Sequence, residues 1–445
     1  MFAWLLNLAY LVLLLAVSPV ILYRMIVLGK YRTGWSQKLF GLVPPRSGGG
    51  RCVWFHAVSV GEVLQLQPLL DALAARQPDC ELVISTTTAT GFDVARTRYP
   101  DRQVIFFPLD FSWAVNAALA RIKPSAIALV ELELWPNFVA AAAERGIPVA
   151  LVNGRISERS YRGYRRIGPL MRRMLNKINV LAVQSETYAR RLIDLGADPD
   201  RVHVTGSIKF DRVETDRGNP ATTELRRLFG LNDSQPVFIA GSTQDPEERL
   251  ALESYLALRT KVSDLRLILV PRHKERFDDV ARLVADEFKL PIIRRSRLPM
   301  PGSLSGSPTE TGGMPAILLL DTLGELSACW GLATIAFVGG SLTRRGGQNM
   351  MEPAGFGAAV LFGPNTWNFK DVVELLLSQD AAQVVPTPGE LTAQLEELLL
   401  KPARRDELGN RARRLVTAQR GATARTVDLL MKLLPEATSL GSRAA

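Results

Sequence analysis

The 445-residue chain has few of the residues that build metal centres and disulfide frameworks. It contains three cysteines (Cys52, Cys80 and Cys329), no Cys-x-x-Cys pair and only three histidines. This scarcity argues against a structural zinc site or a multi-histidine centre, and it indicates a reducing compartment. The sequence also lacks a Walker A loop, a Gly-x-Gly-x-x-Gly fingerprint after a strand and a His-Glu-x-x-His motif, so the common sites built on those motifs are excluded.

Residues 1–23 lack any charged side chain, and Arg24, Lys30 and Arg32 follow directly. About 20 apolar residues are enough to span a bilayer core, so this segment is predicted to be a membrane anchor. No positive region precedes it, which argues against a signal peptide. The positive charge on its C-terminal side predicts that the rest of the chain is cytoplasmic, at the inner membrane. The segment either crosses the bilayer or dips into it, and the alternative is a buried core helix.

The composition is that of a globular protein with an anionic partner. Hydrophobic residues make up 47% and charged residues 22%, and 54 Lys+Arg against 44 Asp+Glu give a net charge of +10. Such a balance suits nucleic acid, phosphorylated lipid or a membrane surface. A chain of this length exceeds what one hydrophobic core usually supports, so two domains are expected.

Short apolar segments alternate with helix-length segments, a pattern that predicts two doubly wound α/β domains with parallel sheets. The predicted strands are 52–55, 82–85, 104–107, 126–130, 149–152 and 180–183, then 237–240, 265–270, 317–320, 335–338 and 360–362. The polar segment 215–235 joins the two series, so the predicted domains are 24–215 and 216–445. A mobile loop is expected over 298–315, and the helical stretch 403–434 could pack back on the first domain. Ligands bind at the carboxyl ends of such strands, so a cleft between the two sheets is the expected site.

The segment His56-Ala57-Val58-Ser59-Val60-Gly61-Glu62 leaves a predicted strand and enters an amphipathic helix predicted over 61–76. Gly61 would let a ligand approach closely. Glu62 falls in the first helical turn, where the helix dipole favours a carboxylate that can accept a proton. The alternative is ordinary capping, because glutamate is common in first turns.

Two further acids follow the strand 126–130, in the segment Glu131-Leu132-Glu133-Leu134-Trp135-Pro136-Asn137. In extended backbone Glu131 and Glu133 point the same way. Two neighbouring acids repel, so the pair indicates a cationic partner or an acid/base task. A solvated strand exit is an equally good interpretation.

Glycine-rich or basic turns follow three strands of the second domain, at Gly241-Ser242-Thr243, at Val270-Pro271-Arg272-His273 and at Gly339-Gly340-Ser341. Their backbone amides, together with Arg272, could hold the phosphate of a nucleotide. Asp245-Pro246 is predicted to start a helix, with Asp245 as its cap. Asn349 and Glu352 follow the third turn, and Glu352 could bind ribose hydroxyls.

Residues 155–177 carry eight basic side chains against the single acid Glu158, with tyrosines and apolar residues interleaved. The basic residues are Arg155, Arg159, Arg162, Arg165, Arg166, Arg172, Arg173 and Lys177. A basic amphipathic helix of this kind suits an anionic membrane surface or phosphate-bearing lipid. The adjoining apolar anchor argues against nucleic acid as the partner.

Ordered motifs over nearly the whole chain resemble one family, the 3-deoxy-D-manno-oct-2-ulosonic acid (Kdo) transferases of lipid A biosynthesis, which have the GT-B fold. They are HAVSVGE (56–62), STTTATG (85–91), ELELWPN (131–137), NGRISERSYRGY (153–164), QSE (184–186), TGSIKFD (205–211), AGST (240–243), VPRH (270–273), DTLGEL (321–326), FVGGSL (337–342), EPA (352–354) and GPNTWNF (363–369).

The resemblance implies transfer of Kdo from CMP-Kdo to the lipid A precursor, with inversion at the anomeric carbon. It implies that Glu62 is the general base, and that Glu131 or Glu133 is needed for activity. Ser59, Gly61 and the arginines of 155–173 would then face the acceptor and the membrane. The donor residues implied are Gly241, Ser242, Pro271, Arg272, Gly324, Glu325, Leu326, Asn349 and Glu352. CMP-Kdo carries one phosphate, so no metal or other cofactor is expected.

The chain departs from the family pattern at three positions on the donor side. The family's GGHNPLEPA is Gly346 to Ala354 here, with Gln348 and Met350 in place of histidine and proline, and Asn365 replaces the histidine of GPH. Gln and Asn hydrogen-bond but do not become cationic near pH 7. The alternatives are another GT-B sugar-nucleotide enzyme, such as an epimerase, or a non-catalytic lipid-binding protein on the same scaffold.

Overall fold

The computed structural model describes residues 2–29, 33–298 and 315–435. The chain divides into two compact units, Met1–Arg212 with Arg420–Ala445, and Val213–Gln419. The sequence placed the division at residue 215. In the structure it falls after Arg212, and the chain returns to the first unit at Arg420.

Each unit is built on a seven-stranded sheet in which every described strand pair is parallel. The strands of the first unit are β1 Cys52–His56, β2 Glu81–Thr86, β3 Gln103–Phe106, β4 Ala126–Val130, β5 Val149–Gly154, β6 Val180–Val183 and β7 Val202–Val204. Those of the second are β8 Val237–Thr243, β9 Arg266–Pro271, β10 Ile292–Arg294, β11 Ile317–Leu319, β12 Ile335–Val338, β13 Ala359–Phe362 and β14 Gln383–Val384.

Nineteen α-helices lie within the described residues. They are α1 Phe2–Val27, α2 Trp35–Phe40, α3 Val60–Gln65, α4 Gln67–Arg76, α5 Ala89–Arg98, α6 Ser112–Ile122, α7 Pro136–Glu144, α8 Glu158–Arg165, α9 Gly168–Leu175, α10 Glu186–Asp194, α11 Pro220–Leu228, α12 Glu247–Leu258, α13 Phe277–Arg282, α14 Leu326–Trp330, α15 Met351–Gly355, α16 Lys370–Ser378, α17 Glu390–Leu400, α18 Pro402–Gln419 and α19 Ala422–Leu433. Short 3-10 turns cover Pro199–Arg201, Ile208–Arg212, Lys274–Arg276, Arg295–Arg297 and Trp367–Phe369, and a π turn covers Leu283–Glu287.

The first sheet runs β3-β2-β1-β4-β5-β6-β7 and separates two hydrophobic cores. Cys52 and Trp54 of β1 point into one core, and Val53 and Phe55 point into the other. Successive side chains of a strand face opposite sides, so a strand that is apolar throughout must be covered on both faces. The continuous apolar runs of this sequence therefore produce a sheet covered on both faces.

Helix α19 belongs to the first unit although it lies at the end of the chain. Its Val427 and Leu430 are buried in the core that contains Val53 and Phe55. The Asp211 carboxylate accepts the backbone N–H groups of Gly421, at 2.6 Å, and of Thr423, at 2.5 Å. These contacts fix the start of α19 beside the point where the chain leaves the first unit.

The second sheet runs β10-β11-β9-β8-β12-β13-β14, with its first strand, β8, in the centre. Tyr255 of α12 and the leucines of α17 lie in one of its cores with Phe238 and Phe337. Both predicted sheets are confirmed, and the three strands missing from the prediction, β7, β10 and β14, are short and only partly buried. Most of the loop predicted over 298–315 lies outside the described residues.

Three predicted helices are interrupted in the structure. Leu66 separates α3 from α4, and Gly421, with φ of +86°, separates α18 from α19. The stretch 155–177 is not one helix, because α8 ends at Arg165 and α9 begins again at Gly168 with Pro169 in its first turn. Proline suits a helix start and disrupts a helix interior, which explains the last break.

Helix α1 is apolar and mostly exposed. Its segment Ala3–Val27 has a mean hydropathy of 2.4, and only 6% of its most apolar part is buried. Trp4 and Ile26 are 73% and 72% exposed. By length and composition this helix could cross a membrane.

Candidate active site

Glu62 lies in the first turn of α3, at the carboxyl end of the interior strand β1. Its Oε1 accepts the Ser59 hydroxyl at 2.7 Å, its Oε2 accepts the Val58 N–H at 2.8 Å, and Ser59 caps the helix by accepting the Glu62 N–H. This is a variant of the capping box, in which the carboxylate accepts the N–H of Val58 in place of that of Ser59, so the capping interpretation is correct. It does not exclude catalysis, because each carboxylate oxygen keeps a further lone pair and the side chain is half-exposed.

The space beside Glu62 is open. A Cβ placed on Gly61 would meet only the Ser59 hydroxyl, at 3.8 Å, and both residues are exposed. Packing therefore does not demand a glycine at this position. The open surface agrees with the expectation that a ligand approaches here.

Glu131 and Glu133 follow β4, but the backbone between them is not extended as the sequence suggested. Glu131 has φ of +59°, in the left-handed region that non-glycine residues rarely adopt, and residues 131–132 form a turn. Such strain costs about 1–3 kcal/mol and concentrates at functional sites. The prediction that alternation along a strand aligns the two acids is therefore wrong, and the turn positions them instead.

The pKa of Glu133 is raised to about 7, first by burial and then by the charge of Glu62, with a smaller contribution from Glu131. The Trp135 Nε1–H donates to Glu133 Oε2 at 3.1 Å and opposes the rise. The structure thus brings all three predicted acids into electrostatic contact at one edge of the sheet. Such a group holds a proton near neutral pH and is suited to acid/base chemistry.

The basic helices α8 and α9 adjoin this acidic edge. Burial raises the pKa of Tyr164 on α8, and the charge of Glu133 raises it further. Tyr164 and Tyr161 also pack against the same hydrophobic core as Leu132 and Trp135. The exposed basic side chains on and between these helices are Arg159, Arg162, Arg165, Arg166, Arg172 and Arg173, while Arg155 and Lys177 are partly buried.

Part of this positive charge is neutralised by local acids. Arg162 and Arg191 both bind Glu158, at 2.9 Å and 2.6 Å, and Tyr161 donates to Asp194. An open groove is lined by Arg165, Gly168, Pro169, Arg172, Asp194, Leu195 and Gly196. Arg165 and Arg172, both among the predicted cations, therefore share this concave surface.

His56, at the end of β1, has a packing role and not a charged one. It stacks on Phe107 with ring centroids 3.7 Å apart, and its Nδ1 lies 3.0 Å from the Ser85 hydroxyl. Burial lowers its pKa to about 3. His56 is therefore neutral at physiological pH and supports the strand end from which residues 57–62 depart.

In the second unit, the glycine turn after β12 is already occupied by a carboxylate of the chain itself. Glu247, fully buried at the start of α12, accepts the N–H groups of Gly340, Ser341 and Leu342 at 2.7–3.1 Å, and that of Gln244 at 2.9 Å. The expectation that the amides of Gly340 and Ser341 hold a phosphate is therefore wrong. The sequence did not reveal this, because Glu247 lies 93 residues or more before the turn.

The start of α12 also differs from the prediction. The Asp245–Pro246 peptide bond is cis, the helix begins at Glu247, and Pro246 occupies the cap position without a side-chain bond. Asp245 is therefore not a cap. Gly241 is a packing residue, since a Cβ there would lie 2.5 Å from the Trp330 ring, and Ser242 is nearly buried with φ of +54°.

Arg272 follows Pro271, the last residue of β9. Its backbone N–H donates to Thr243 O at 3.1 Å, while its side chain is exposed. Among the residues that the structure describes, no acid pairs with it. Arg272 is thus a cation at the carboxyl edge of the second sheet that remains available for an anionic ligand.

In the turn Gly324-Glu325-Leu326, there is free space beside the backbone of Gly324, whereas the Glu325 side chain is already hydrogen-bonded within the protein. Gly324 is exposed with φ of +88°, and a Cβ there would meet nothing within 4 Å. Glu325 instead binds Arg295 at 2.9 Å and accepts the Thr322 hydroxyl. Of these three residues, Glu325 is the one with a clear structural role.

Asn349 and Glu352 form a pair at the start of α15. Asn349 Nδ2 donates to Glu352 Oε1 at 2.9 Å, and its Oδ1 accepts the Met351 N–H at 3.0 Å. Burial raises the pKa of Glu352. Gln348 packs beside Gly340, and Asn365 Nδ2 donates to Leu342 O at 3.4 Å, so two of the three departures from the family pattern lie on the loops after β12 and β13.

Within residues 2–29, 33–298 and 315–435, no group of three or more His, Cys, Asp or Glu side chains could hold a metal ion. The three cysteines are all buried and free. Independence from metal stays a prediction.

The architecture defines a class of protein. An Acinetobacter baumannii MurG structure is 16% identical, covers 86% of this chain and 100% of its own, and superposes with a TM-score of 0.52. A UDP-GlcNAc 2-epimerase from Neisseria meningitidis is 13% identical over 86% of this chain and all of its own, with a TM-score of 0.53. Two parallel α/β units with these neighbours are the GT-B fold, as predicted.

Sequence comparison identifies the family. The model for 3-deoxy-D-manno-octulosonic-acid transferase (kdotransferase) matches residues 33–212. The 3-deoxy-D-manno-octulosonic acid transferase of Bordetella pertussis is 35% identical over 90% of this chain and 93% of its own. That of Haemophilus influenzae is 33% identical over 88% of each chain. The chain belongs to the Kdo transferase family and is a glycosyltransferase of lipopolysaccharide biosynthesis.

Proposed function

We propose that the protein transfers Kdo from CMP-Kdo to a hydroxyl of the lipid A precursor, lipid IVA, with inversion at the anomeric carbon. Membership of the Kdo transferase family supports the transferred sugar. The observation that carries the mechanism is the meeting of Glu62, Glu131 and Glu133 beside two basic helices, since it combines a base with a surface for an anionic acceptor.

Glu62 acts as the general base in this proposal. It takes the proton from the acceptor hydroxyl while the hydroxyl oxygen bonds to the anomeric carbon of Kdo. The bond from that carbon to the phosphate oxygen breaks, and CMP leaves with the electron pair. Attack opposite to the leaving group inverts the carbon, and general base catalysis of this type typically contributes about 10²–10⁴-fold.

Glu133 assists by holding a proton. Its pKa of about 7 leaves it largely protonated at slightly acidic pH. When Glu133 is neutral, the site does not hold a second negative charge next to that of Glu62. The protonated carboxyl can also donate a hydrogen bond toward the acceptor. Glu131, held in its turn, completes the acidic edge.

The second unit binds the donor. Arg272 supplies a permanent positive charge for the single phosphate of CMP-Kdo, and Asn349 and Glu352 offer polar groups for the cytidine or the sugar. Gly241, Ser242, Pro271, Gly324, Glu325 and Leu326 form the neighbouring strand ends and turns. One phosphate needs no divalent cation to neutralise it, so no cofactor is proposed.

The acceptor lies at the inner membrane, with the catalytic units on its cytoplasmic face. Arg165 and Arg172, which share a groove, bind the acceptor phosphates, and Arg155, Arg159, Arg162, Arg166 and Arg173 attract the anionic surface. Ser59 and Gly61 leave room for the acceptor sugar beside Glu62. Helix α1 supplies the apolar contact with lipid.

The deciding experiment incubates the purified full-length protein with CMP-Kdo and tetraacylated lipid A precursor and follows both by mass spectrometry. The acceptor is expected to gain the mass of one or more Kdo residues while CMP accumulates. Acceptor that stays unmodified while CMP-Kdo is altered would point to another sugar-nucleotide enzyme. Lipid binding without turnover would point to a non-catalytic scaffold.

A further inference from the structure

One polar residue of α1 is buried although the helix is otherwise apolar and exposed. Asn7 is 4% exposed, while its neighbours Leu5 and Leu8 are 60% and 59% exposed. A buried amide without partners costs several kcal/mol, roughly 2–7 depending on the reference state, so Asn7 must be hydrogen-bonded. A simple lipid anchor has no need for such a residue.

Asn7 is bonded to the first unit at two separate places. Its Nδ2 donates to the Ser112 hydroxyl at 2.7 Å, and its Oδ1 accepts the Ser112 N–H at 3.0 Å. The same Oδ1 accepts Nδ2 of Asn137 at 3.2 Å. Asn7 therefore links the start of α6 to the start of α7.

Tyr10, one turn further along α1, extends this network. Its hydroxyl donates to Asp110 Oδ2 at 3.0 Å, and its ring packs edge-on against Phe111. Asp110 is 4% exposed. The contacts of Asn7 and Tyr10 lie on one face of the helix, because residues three apart in a helix are neighbours.

Asp110 in turn caps α7. The N-cap residue of α7, Trp135, makes no side-chain cap bond. Asp110 replaces it, since Oδ2 accepts the Asn137 N–H at 2.9 Å and Oδ1 accepts the Phe138 N–H at 2.8 Å. The residues immediately before this capped turn are 131–135, which contain Glu131 and Glu133.

We propose that α1 is a positioning element of the active site as well as a membrane anchor, with Asn7 and Tyr10 holding Asp110 and Asn137 so that the acid segment 131–137 keeps its catalytic geometry. Asn7, Tyr10, Asp110, Ser112 and Asn137 constitute this anchor clamp. The proposal rests on the proposed function only for the role of the acids, because the clamp itself is a set of contacts within the first unit.

The clamp also constrains how α1 meets the bilayer. Its first three turns touch the first unit through Asn7 and Tyr10, and its other end continues into the same unit through α2. Both ends of the helix therefore stay on the side of the bilayer where the first unit lies. The exposed apolar side chains between them enter lipid from that side, which favours dipping over crossing.

Asn7→Leu and Tyr10→Phe break the clamp without weakening the anchor, because both changes make α1 more apolar. Amide hydrogen exchange in segment 131–138 of the full-length protein in detergent micelles is the direct measurement. Loss of the clamp should speed this exchange about tenfold or more in Asn7→Leu and less in Tyr10→Phe, since exchange reports local opening. Exchange in β8 of the second unit serves as the internal reference.

Ser18→Leu is the matched control. It also replaces a polar residue of α1 by leucine, but the Ser18 hydroxyl bonds only to Leu15 O of its own helix. Exchange in 131–138 should stay at the wild-type rate. In the same preparations, kcat for Kdo transfer to detergent-dispersed acceptor should fall about five- to tenfold in Asn7→Leu, with the KM for CMP-Kdo within about twofold, because the change affects acid geometry and not donor binding.

The pH profile separates positioning from general destabilisation. The charged or titratable groups that face Glu133 are Glu62 on α3, Glu131 in its own turn and Tyr164 on α8. Loosening the segment admits water to Glu133 and lowers its pKa, so the alkaline limb of the kcat profile, where Glu133 loses its proton, should move to lower pH in Asn7→Leu. A merely weakened fold would lower the activity without moving this limb.

The proposal would be overturned if amides 131–138 exchanged at the wild-type rate in both Asn7→Leu and Tyr10→Phe. It would also be overturned if exchange became faster while kcat stayed unchanged. If Asn7→Leu fails to fold, Tyr10→Phe, which removes a single hydroxyl, decides by the same measurements. If the wild type transfers no Kdo, the proposed function fails, and the exchange experiment still decides whether α1 positions the acid segment.

Discussion

The two units carry a glutamate at the same place in their topology, and the two glutamates have different surroundings. Glu62 follows β1, the first strand of its sheet along the chain, in the first turn of α3, and Glu247 follows β8, the first strand of the other sheet, at the start of α12. Glu62 accepts two hydrogen bonds and is half-exposed, whereas Glu247 accepts four and is fully buried. The carboxylate proposed as the base and the buried carboxylate of the second unit therefore differ in how many donors surround them.

A carboxylate offers about four lone-pair positions. The backbone amides around Glu247 fill all of them, so this side chain has no free position for a proton of a substrate. Glu62 keeps one position on each oxygen, and its two bonds fix the direction of the carboxylate. We infer that the hydrogen bonds at the start of α3 orient Glu62 as a base in the first unit. In the second unit, Glu247 instead holds the turn 340–342 in place.

The largest expected effect is that of Glu62→Gln on transfer. Glutamine keeps the shape but cannot take a proton, so kcat should fall about 10²–10⁴-fold while CMP binding and the circular dichroism spectrum stay unchanged. Ser59→Ala is the matched control, because it removes the other half of the capping box and leaves the base. It should cost about 1 kcal/mol of unfolding free energy and far less activity. Equal losses of kcat in the two variants would mean that Glu62 is only a cap.

Glu247→Gln should destabilise the second unit without touching a reacting atom. The amide group can no longer accept from two of the four backbone donors, each at a cost of about 1–3 kcal/mol, so unfolding free energy should fall by roughly 2–6 kcal/mol. Denaturant titration measures this. Glu253→Gln, an exposed residue on the same helix, is the control and should have little effect. A fully stable Glu247→Gln variant would contradict the structural role.

Arg272→Ala should weaken donor binding at every pH. A charge-assisted hydrogen bond contributes about 1.5–3 kcal/mol, so the affinity for CMP should drop about 10- to 100-fold in isothermal titration. Lys274→Ala removes a nearby exposed cation and should change the affinity little. An unchanged affinity in Arg272→Ala would place the phosphate at another turn.

The smallest expected effect is a pH-dependent gain in stability for Glu133→Gln. The pKa of Glu133 is raised from 4.5 to about 7, so its carboxylate form is disfavoured in the folded state. The free energy of unfolding of the wild type should therefore fall as the pH rises from about 5 through 7. That of Glu133→Gln should not show this decrease, because glutamine does not ionise. We expect Glu133→Gln to be more stable than the wild type by about 1–2 kcal/mol at pH 8 and nearly equal to it at pH 5. A constant difference between pH 5 and pH 8 would contradict the raised pKa.

Sequence patterns predicted what depends on neighbouring residues. The apolar runs predicted both parallel sheets, and the segment 56–62 was correctly predicted to enter a helix with Glu62 in its first turn, because both features depend on nearby residues. Contacts between distant segments could not be predicted. Glu247 meets the amides of residues 340–342 across 93 or more residues, and Asn7 meets Asn137 across 130. The left-handed backbone of Glu131 carries no local signal either, since it is imposed by its surroundings.

The position of α19 has a consequence for biosynthesis. The second unit is an insertion between Arg212 and Arg420, and α19 adds Ala422, Val427 and Leu430 to a core of the first unit. During synthesis, the seven strands of the first unit therefore leave the ribosome long before α19, the helix that covers part of one face of their sheet. Because exposed apolar surface makes incomplete chains prone to aggregation, the nascent first unit has to remain soluble, or be shielded by chaperones, throughout synthesis of the second.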